Sequence, residues 1–190
     1  MSARFAALPV LVIGALAGAS APAHAAITVF DTQPAFAAAS SAPGVDAYTG
    51  FPLTTATPSP INRAAGPYTY TGAVTTTTFF GAGTAADPWL STNTATDTIT
   101  FNNFGGGAAA VGGNFFGSNV SGVFASGNIT LVASDSLGAT ATRTITGATV
   151  SSFLGFVSTG TITSLTVTTV QPASGFLWPT VDNFTLGLRA

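Results

Sequence analysis

Apolar and hydroxyl-bearing residues alternate along much of this chain. In "TDTITFNNF", Ile99 and Phe101 fall on one side and Thr98 and Thr100 on the other; "NITLVASD" repeats the pattern with Ile129, Leu131 and Ala133, and "ITSLTVTTV" with Leu165 and Val167. A period of two residues is that of a strand with one face buried and one in water. "AITVF", "YTYTGAVTTTTFF", "AAAVGGNFFG", "TATRTITG" and "FLGFVS" are further candidates. Many short strands separated by Gly, Pro and Asn turns predict an all-β fold, an antiparallel jelly-roll β-sandwich.

One segment breaks the pattern. "DTQPAFAAASS" offers Asp31 or Thr32 as an N-cap, Pro34 in the first turn and a run of Ala around Phe36, so it predicts a short helix stopped by Pro43 and Gly44. Residues 54–67, with Pro58, Pro60 and Pro67, read as a long surface loop, because proline donates nothing to a ladder. Gly105 to Gly107 and Gly112 with Gly113 lack the Lys and Ser or Thr of a phosphate loop, so they read as bulges or tight corners.

The N-terminus has a different texture. Arg4, the apolar run of residues 5–19 and "SAPAHA", with small residues at Ala23 and Ala25, have the three-part form of a secretory signal peptide. Cleavage after Ala25 is expected, leaving residues 26–190 as one β-sandwich domain. The run is shorter than the roughly 20 residues a membrane span needs, so no stable membrane anchor is expected after cleavage. A chain of that length buries about 70% of its unfolded surface and holds a core without disulfides. It has no cysteine to make one.

Charge is scarce. Beyond residue 25 there are three arginines, Arg63, Arg143 and Arg189, against Asp31, Asp46, Asp87, Asp97, Asp135 and Asp182, with no Lys and no Glu. Nucleic acid and anionic membrane surfaces are poor partners for so few cations. The one histidine, His24, falls in the leader, so imidazole, thiol and lysine amine are all missing from the expected mature chain. That removes Ser-His-Asp and Cys-His nucleophiles, His-based zinc sites and Schiff-base chemistry. Aspartate pairs, as in some glycoside hydrolases, are what survives, and the six are dispersed. No catalytic residue is assigned and the protein is not expected to be an enzyme; a secreted Asp-dependent glycan hydrolase is the alternative.

Glycan binding needs less: an aromatic face for a sugar ring and a few polar groups for its hydroxyls. Trp89 in "ADPWLST" and Trp178 in "FLWPTV" stand beside prolines in expected loops, and Tyr68 and Tyr70 alternate onto one face of a strand. These four are the candidate glycan-binding residues, with core capping as the competing role, favoured for Trp178.

Asp182 is the odd residue of the closing strand, in step with Phe184, Leu186 and Leu188 on what reads as its buried face. A buried carboxylate needs donors, a cation or a proton. Backbone N–H groups of a turn, Arg143 or Arg63, or a calcium ion would serve. A hydrogen-bonded structural aspartate anchoring the last strand to its neighbour is preferred. No cofactor is expected.

The blocks "FDTQPAFAAASSAPGVDAYTGF", "AAVGGNFFGSNVSG", "SSFLGFVSTGTITSLTV" and "TVDNFTLG" resemble, in order, those of bacterial secreted proteins of the PEP-CTERM type, and the resemblance covers most of the mature chain. It implies an extracellular jelly roll associated with exopolysaccharide, and it carries over no catalytic residue. Such proteins usually continue into a Pro-Glu-Pro sorting tail; this chain stops at Ala190, which favours a freely secreted or matrix-associated form. Jelly-roll modules of this kind often hold a structural calcium where first and last strands meet, making Asp31 and Asp182 its candidate ligands. The expected function is a non-catalytic structural or glycan-binding component of the bacterial surface or matrix. A self-assembling adhesin or coat protein is a further alternative, should an edge strand be open.

Overall fold

The computed structural model describes residues 26–76 and 78–190; the expected leader, its cleavage site and His24 lie outside them. The described chain forms β1 (Ile27–Phe30), α1 (Gln33–Ala39), β2 (Ser40–Asp46), β3 (Thr57–Pro58), β4 (Ile61–Ala65), β5 (Tyr68–Val74), β6 (Thr78–Thr84) and β7 (Asp87–Thr92). It continues through β8 (Ile99–Asn102), β9 (Ala110–Ser118), β10 (Phe124–Ala125), β11 (Gly127–Asp135), β12 (Thr140–Ala148), β13 (Phe153–Ser158), β14 (Ile162–Val170) and β15 (Trp178–Arg189).

Two antiparallel sheets pack face to face. One runs β1-β13-β9-β15-β7-β6-β3, with β10 beside β9 and β2 beside β15; the other runs β12-β11-β14-β8-β5-β4. Within them run the four neighbours β7-β15-β9-β13 and the four neighbours β8-β14-β11-β12, the latter ending at the edge strand β12. Eight strands interleaved between two sheets in this order are two Greek keys, a jelly roll.

The period-two residues decide which face goes inside. Ile99 and Phe101, Ile129 and Leu131, and Leu165 and Val167 are fully buried, while Thr100, Thr130 and Thr166 keep contact with water. From the other sheet come Val111, Phe115, Val181, Phe184 and Leu186. The rings of Phe101 and Phe184 stack across the interface at 4.3 Å, with Tyr70 4.8 Å from Phe184. Burial of each such side chain contributes about 1.5–3 kcal/mol.

Three local expectations are corrected. The helix ends at Ala39, not at Pro43 and Gly44: Ser40 is already extended, and its hydroxyl takes the Phe36 carbonyl at 2.9 Å. Pro43 and Gly44 lie within β2, at the margin of a sheet, where a missing N–H costs little. Its cap is Thr32, whose hydroxyl accepts from Ala35 N. Residues 54–67 are not one loop; they contain β3 and β4, both on sheet margins. "YTYTGAVTTTTFF" is two strands, β5 and β6, in different sheets. Asp97, 3% exposed, fixes that corner by accepting from the hydroxyls of Thr75 and Thr76 at 3.1 and 2.6 Å.

The helix closes part of the outer face of the larger sheet. Phe36 packs with Val157 and Ala110, its ring lying on Gly155, where a Cβ would collide with it.

Candidate functional site

Where β14 passes into β15 the chain reads "QPASGFLWP", with Trp178 the first residue of β15 and not in a loop, and its alternation sets the site. Leu177 is 4% exposed and plugs the core against Gly117 and Gly127, neither of which has room for a Cβ beside it. Its neighbours Phe176 and Trp178 are thrown to the opposite side. Phe176 is 66% exposed, and its ring stands 6.2 Å from that of Trp178 at 67°. Two aromatic rings therefore share an open surface.

Gln171 holds this segment in place. Its amide donates to the carbonyls of Leu177 and Ala95 at 2.8 and 3.0 Å, and its Oε1 accepts from Leu177 N at 3.1 Å. Trp178 Nε1 reaches Asn93 O at 3.4 Å. A side-chain amide thus acts as one more ladder rung, joining the aromatic loop to residues 93–97.

Shallow clefts open on two sides of Trp178. One, about 240 Å³, runs along Phe176, Thr94 and Thr96; the other, about 90 Å³, is lined by Ser91, Asn93, Ser118 and Asn119. Below the second lies a hydroxyl cluster: Thr180 donates to Ser118 at 2.8 Å, and Ser91 to the Pro179 carbonyl at 3.0 Å. Asn119 Oδ1 orders the rim by accepting from Ser121 N and Val123 N. Among the described residues, no charged side chain lines either cleft. Rings, amides and hydroxyls without charge suit a neutral, hydroxyl-rich ligand.

The other candidate residues lie apart from this surface. Tyr68 and Tyr70 do share one face of β5, but it is the core face: they are 3% and 2% exposed, and their hydroxyls bond Ala42 O at 2.9 Å and Asp46 Oδ2 at 2.7 Å. They form no platform, because Thr69 and Thr71 take the solvent side. Trp89 is on β7, not in a loop. Its Nε1 donates to Asp87 Oδ2 at 3.1 Å, and its ring meets Phe116 edge to face at 4.9 Å. It is half-buried, a partial cap on the core.

Asp182 is buried, but not in phase with Phe184. The ladder with β9 shifts between Asp182 and Thr185, and Asn183 takes a left-handed φ of 49°. This bulge puts two residues, Asp182 and Asn183, between the core positions Val181 and Phe184 where a regular strand has one, and turns Asp182 to the outer face of the sheet. Leu188 also leaves the core, at 39% exposed. Asp182 accepts from Asn183 N at 2.7 Å and Asn183 Nδ2 at 2.8 Å, so its partners belong to its own strand and it ties down no neighbour. Burial pushes its carboxyl up to about 6, helped by the charge of Asp87 and partly opposed by the Asn183 N–H.

Asp31 is exposed and pairs with Arg143 at 3.0 Å. It follows β1, separated from β15 by β13 and β9. Strands about 4.8 Å apart put the two carboxylates beyond the reach of one calcium ion, whose oxygens sit at about 2.3–2.6 Å. The structure does not bring Asp31 and Asp182 together, and neither of the other arginines meets Asp182.

Sequence reasoning missed Phe176 and Gln171. "FLW" carried the signal for Phe176, because a buried Leu177 fixes both neighbours outward; nothing in the sequence marks Gln171. No family model, curated protein or solved structure matches this chain.

Proposed function

We propose that this protein is a non-catalytic, extracellular glycan-binding β-sandwich that takes a neutral polysaccharide through the surface around Phe176 and Trp178. The observation that carries the reading is the pair of outward rings on a braced loop, flanked by uncharged amide and hydroxyl groups. The absence of His, Cys and Lys beyond residue 25 supports binding over catalysis, and the leader pattern with the PEP-CTERM-type resemblance supports an extracellular, exopolysaccharide-associated setting. The clefts are open and shallow, suited to a stretch of polymer lying across the rings rather than to an enclosed small molecule.

Calorimetry against neutral exopolysaccharide fragments tests this. Phe176→Ala and Trp178→Ala are each expected to weaken binding by about 2 kcal/mol or more, the usual cost of removing an aromatic anchor. Trp89→Ala, away from the clefts, is expected to leave affinity unchanged. Glycan binding that survives the Phe176→Ala/Trp178→Ala double variant would overturn the assignment.

A further inference from the structure

Natural sheets guard their margins, and β1, β2, β3, β4 and β6 in this molecule show how. β1 is four residues long and β3 is two with Pro58 among them; β2 contains Pro43. β4 is five residues long, preceded by Pro60, and Gly44 of β2 lies directly on its last carbonyl. Beyond its short pairing with β3, β6 is met by a loop, Gly83 N bonding Gly122 O at 2.8 Å. Short strands, prolines and covering segments are the usual defences against edge pairing.

β12 is neither short nor broken by proline; β1 of the facing sheet packs beside it and Asp31 reaches its Arg143, but neither takes up its backbone. It is nine residues long, contains no proline, and pairs only with β11. Among the described residues, no backbone group of residues 140–146 bonds to anything outside that pairing. Its sequence, "TATRTITGA", is rich in residues that favour strands.

We propose that β12 is an assembly edge, and that its partner is β12 of a second copy of this chain, added antiparallel about a two-fold axis. The composition of the strand points to itself as the occupant. Thr140, Thr142 and Thr144 project on the polar face, and that face already joins strands by hydroxyl pairs, Thr130 to Thr144 at 2.9 Å. A two-fold sets the same threonines against one another and continues the pattern. The single charge of the strand, Arg143, is paired with Asp31 at 3.0 Å, which offsets the like charge that a two-fold axis brings near the new ladder. An isologous pairing closes after two copies and joins both six-stranded sheets into one. No residue of β12 lines the clefts beside Phe176 and Trp178 among the described residues, and the inference stands independently of glycan binding.

The chain has no cysteine, so single cysteines report the contact without background. The full-length protein is examined by sedimentation from micromolar to millimolar concentration, and Thr142→Cys, Arg143→Cys, Thr144→Cys and Thr146→Cys are oxidised beside the opposite-edge control Asn62→Cys. Expected are a concentration-dependent dimer and disulfide formation concentrated at one β12 position. The exposed-site variant Thr142→Lys/Thr144→Lys is expected to weaken the dimer at least tenfold at low salt with its melting temperature unchanged. A monomer at every concentration, cross-linking that favours Asn62→Cys, or equal cross-linking at all sites would overturn the proposal.

Discussion

Asp46 and Arg63 meet in a two-pronged ion pair, Nε to Oδ2 at 2.6 Å and Nη2 to Oδ1 at 2.7 Å, where β2 of one sheet passes the margin strand β4 of the other. The same carboxylate accepts from the Tyr70 hydroxyl at 2.7 Å and from Tyr48 N at 2.9 Å, and the guanidinium lies 5.0 Å from the centre of the Tyr48 ring. Burial raises the Tyr48 and Tyr70 hydroxyls above the ordinary phenol range, so both stay protonated, and the Tyr70 hydroxyl is the one that donates to Asp46. Four donors on one buried carboxylate make this the principal polar joint between the sheets.

Removing one side of that joint strands the other. Asp46→Ala is expected to cost about 3–5 kcal/mol, the range for breaking a buried pair. The Asp46→Leu/Arg63→Met double variant should cost less than the sum of Asp46→Leu and Arg63→Met made singly. Denaturant unfolding of the four proteins gives the coupling energy; additive costs would show that the pair does not act as a unit.

Two aspartates should give stability an acidic optimum. Asp182 holds its proton more tightly when folded, so stability declines as pH rises from about 4 to about 6. Asp182→Asn removes this decline and is expected to stabilise the protein at pH 7 by about 1–2 kcal/mol. Asp135 behaves oppositely. Burial pushes its carboxyl up, but the Ser158 hydroxyl and the N–H groups of Ala139, Leu137 and Gly138 outweigh that, and the net direction is down. Its contribution is complete above about pH 4 and is lost as pH falls through its lowered value, a limb that Asp135→Asn abolishes. Melting curves across pH 3–8 (a range of about five units) for wild type and both variants separate the two limbs.

Gln171→Ala should loosen the aromatic loop from both ends. It leaves Leu177 N without its acceptor, while the Leu177 and Ala95 carbonyls lose one donor and keep the Thr169 hydroxyl, for an expected loss of about 1–3 kcal/mol. Hydrogen exchange at Leu177 should rise sharply while exchange in β11 changes little. Unchanged protection at Leu177 would show that the amide braces nothing.

Gly155→Ala is expected to cost about 1–3 kcal/mol by overpacking, since its new methyl occupies the place of the Phe36 ring. Phe36→Ala in the same background should recover part of that loss. Thermal unfolding of the single and double variants reads the coupling between α1 and β13.

What the sequence determined by itself was everything written locally with a fixed period. "NITLVASD" and "ITSLTVTTV" have one apolar side each and become strands with that side buried. "DTQPAFAAA" becomes a helix because Thr32 caps it, Pro34 suits its first turn and the alanines favour helix over strand. Tyr68 and Tyr70 had to share a face for the same reason. Which side of a sheet is the inside is a different matter, since period two defines two faces and names neither. The tyrosines went inward because Phe101 and Phe184 were waiting across the interface, brought there by strands far away in sequence. Asp182 parted from Phe184 because one extra residue entered β15 opposite Gly113, and a bulge depends on the partner strand as much as on its own. The union of Asp46, Arg63 and Tyr70, and the opening of β12 at a margin, follow from sheet order alone. Pairing between distant strands is a tertiary choice, and no local pattern holds it.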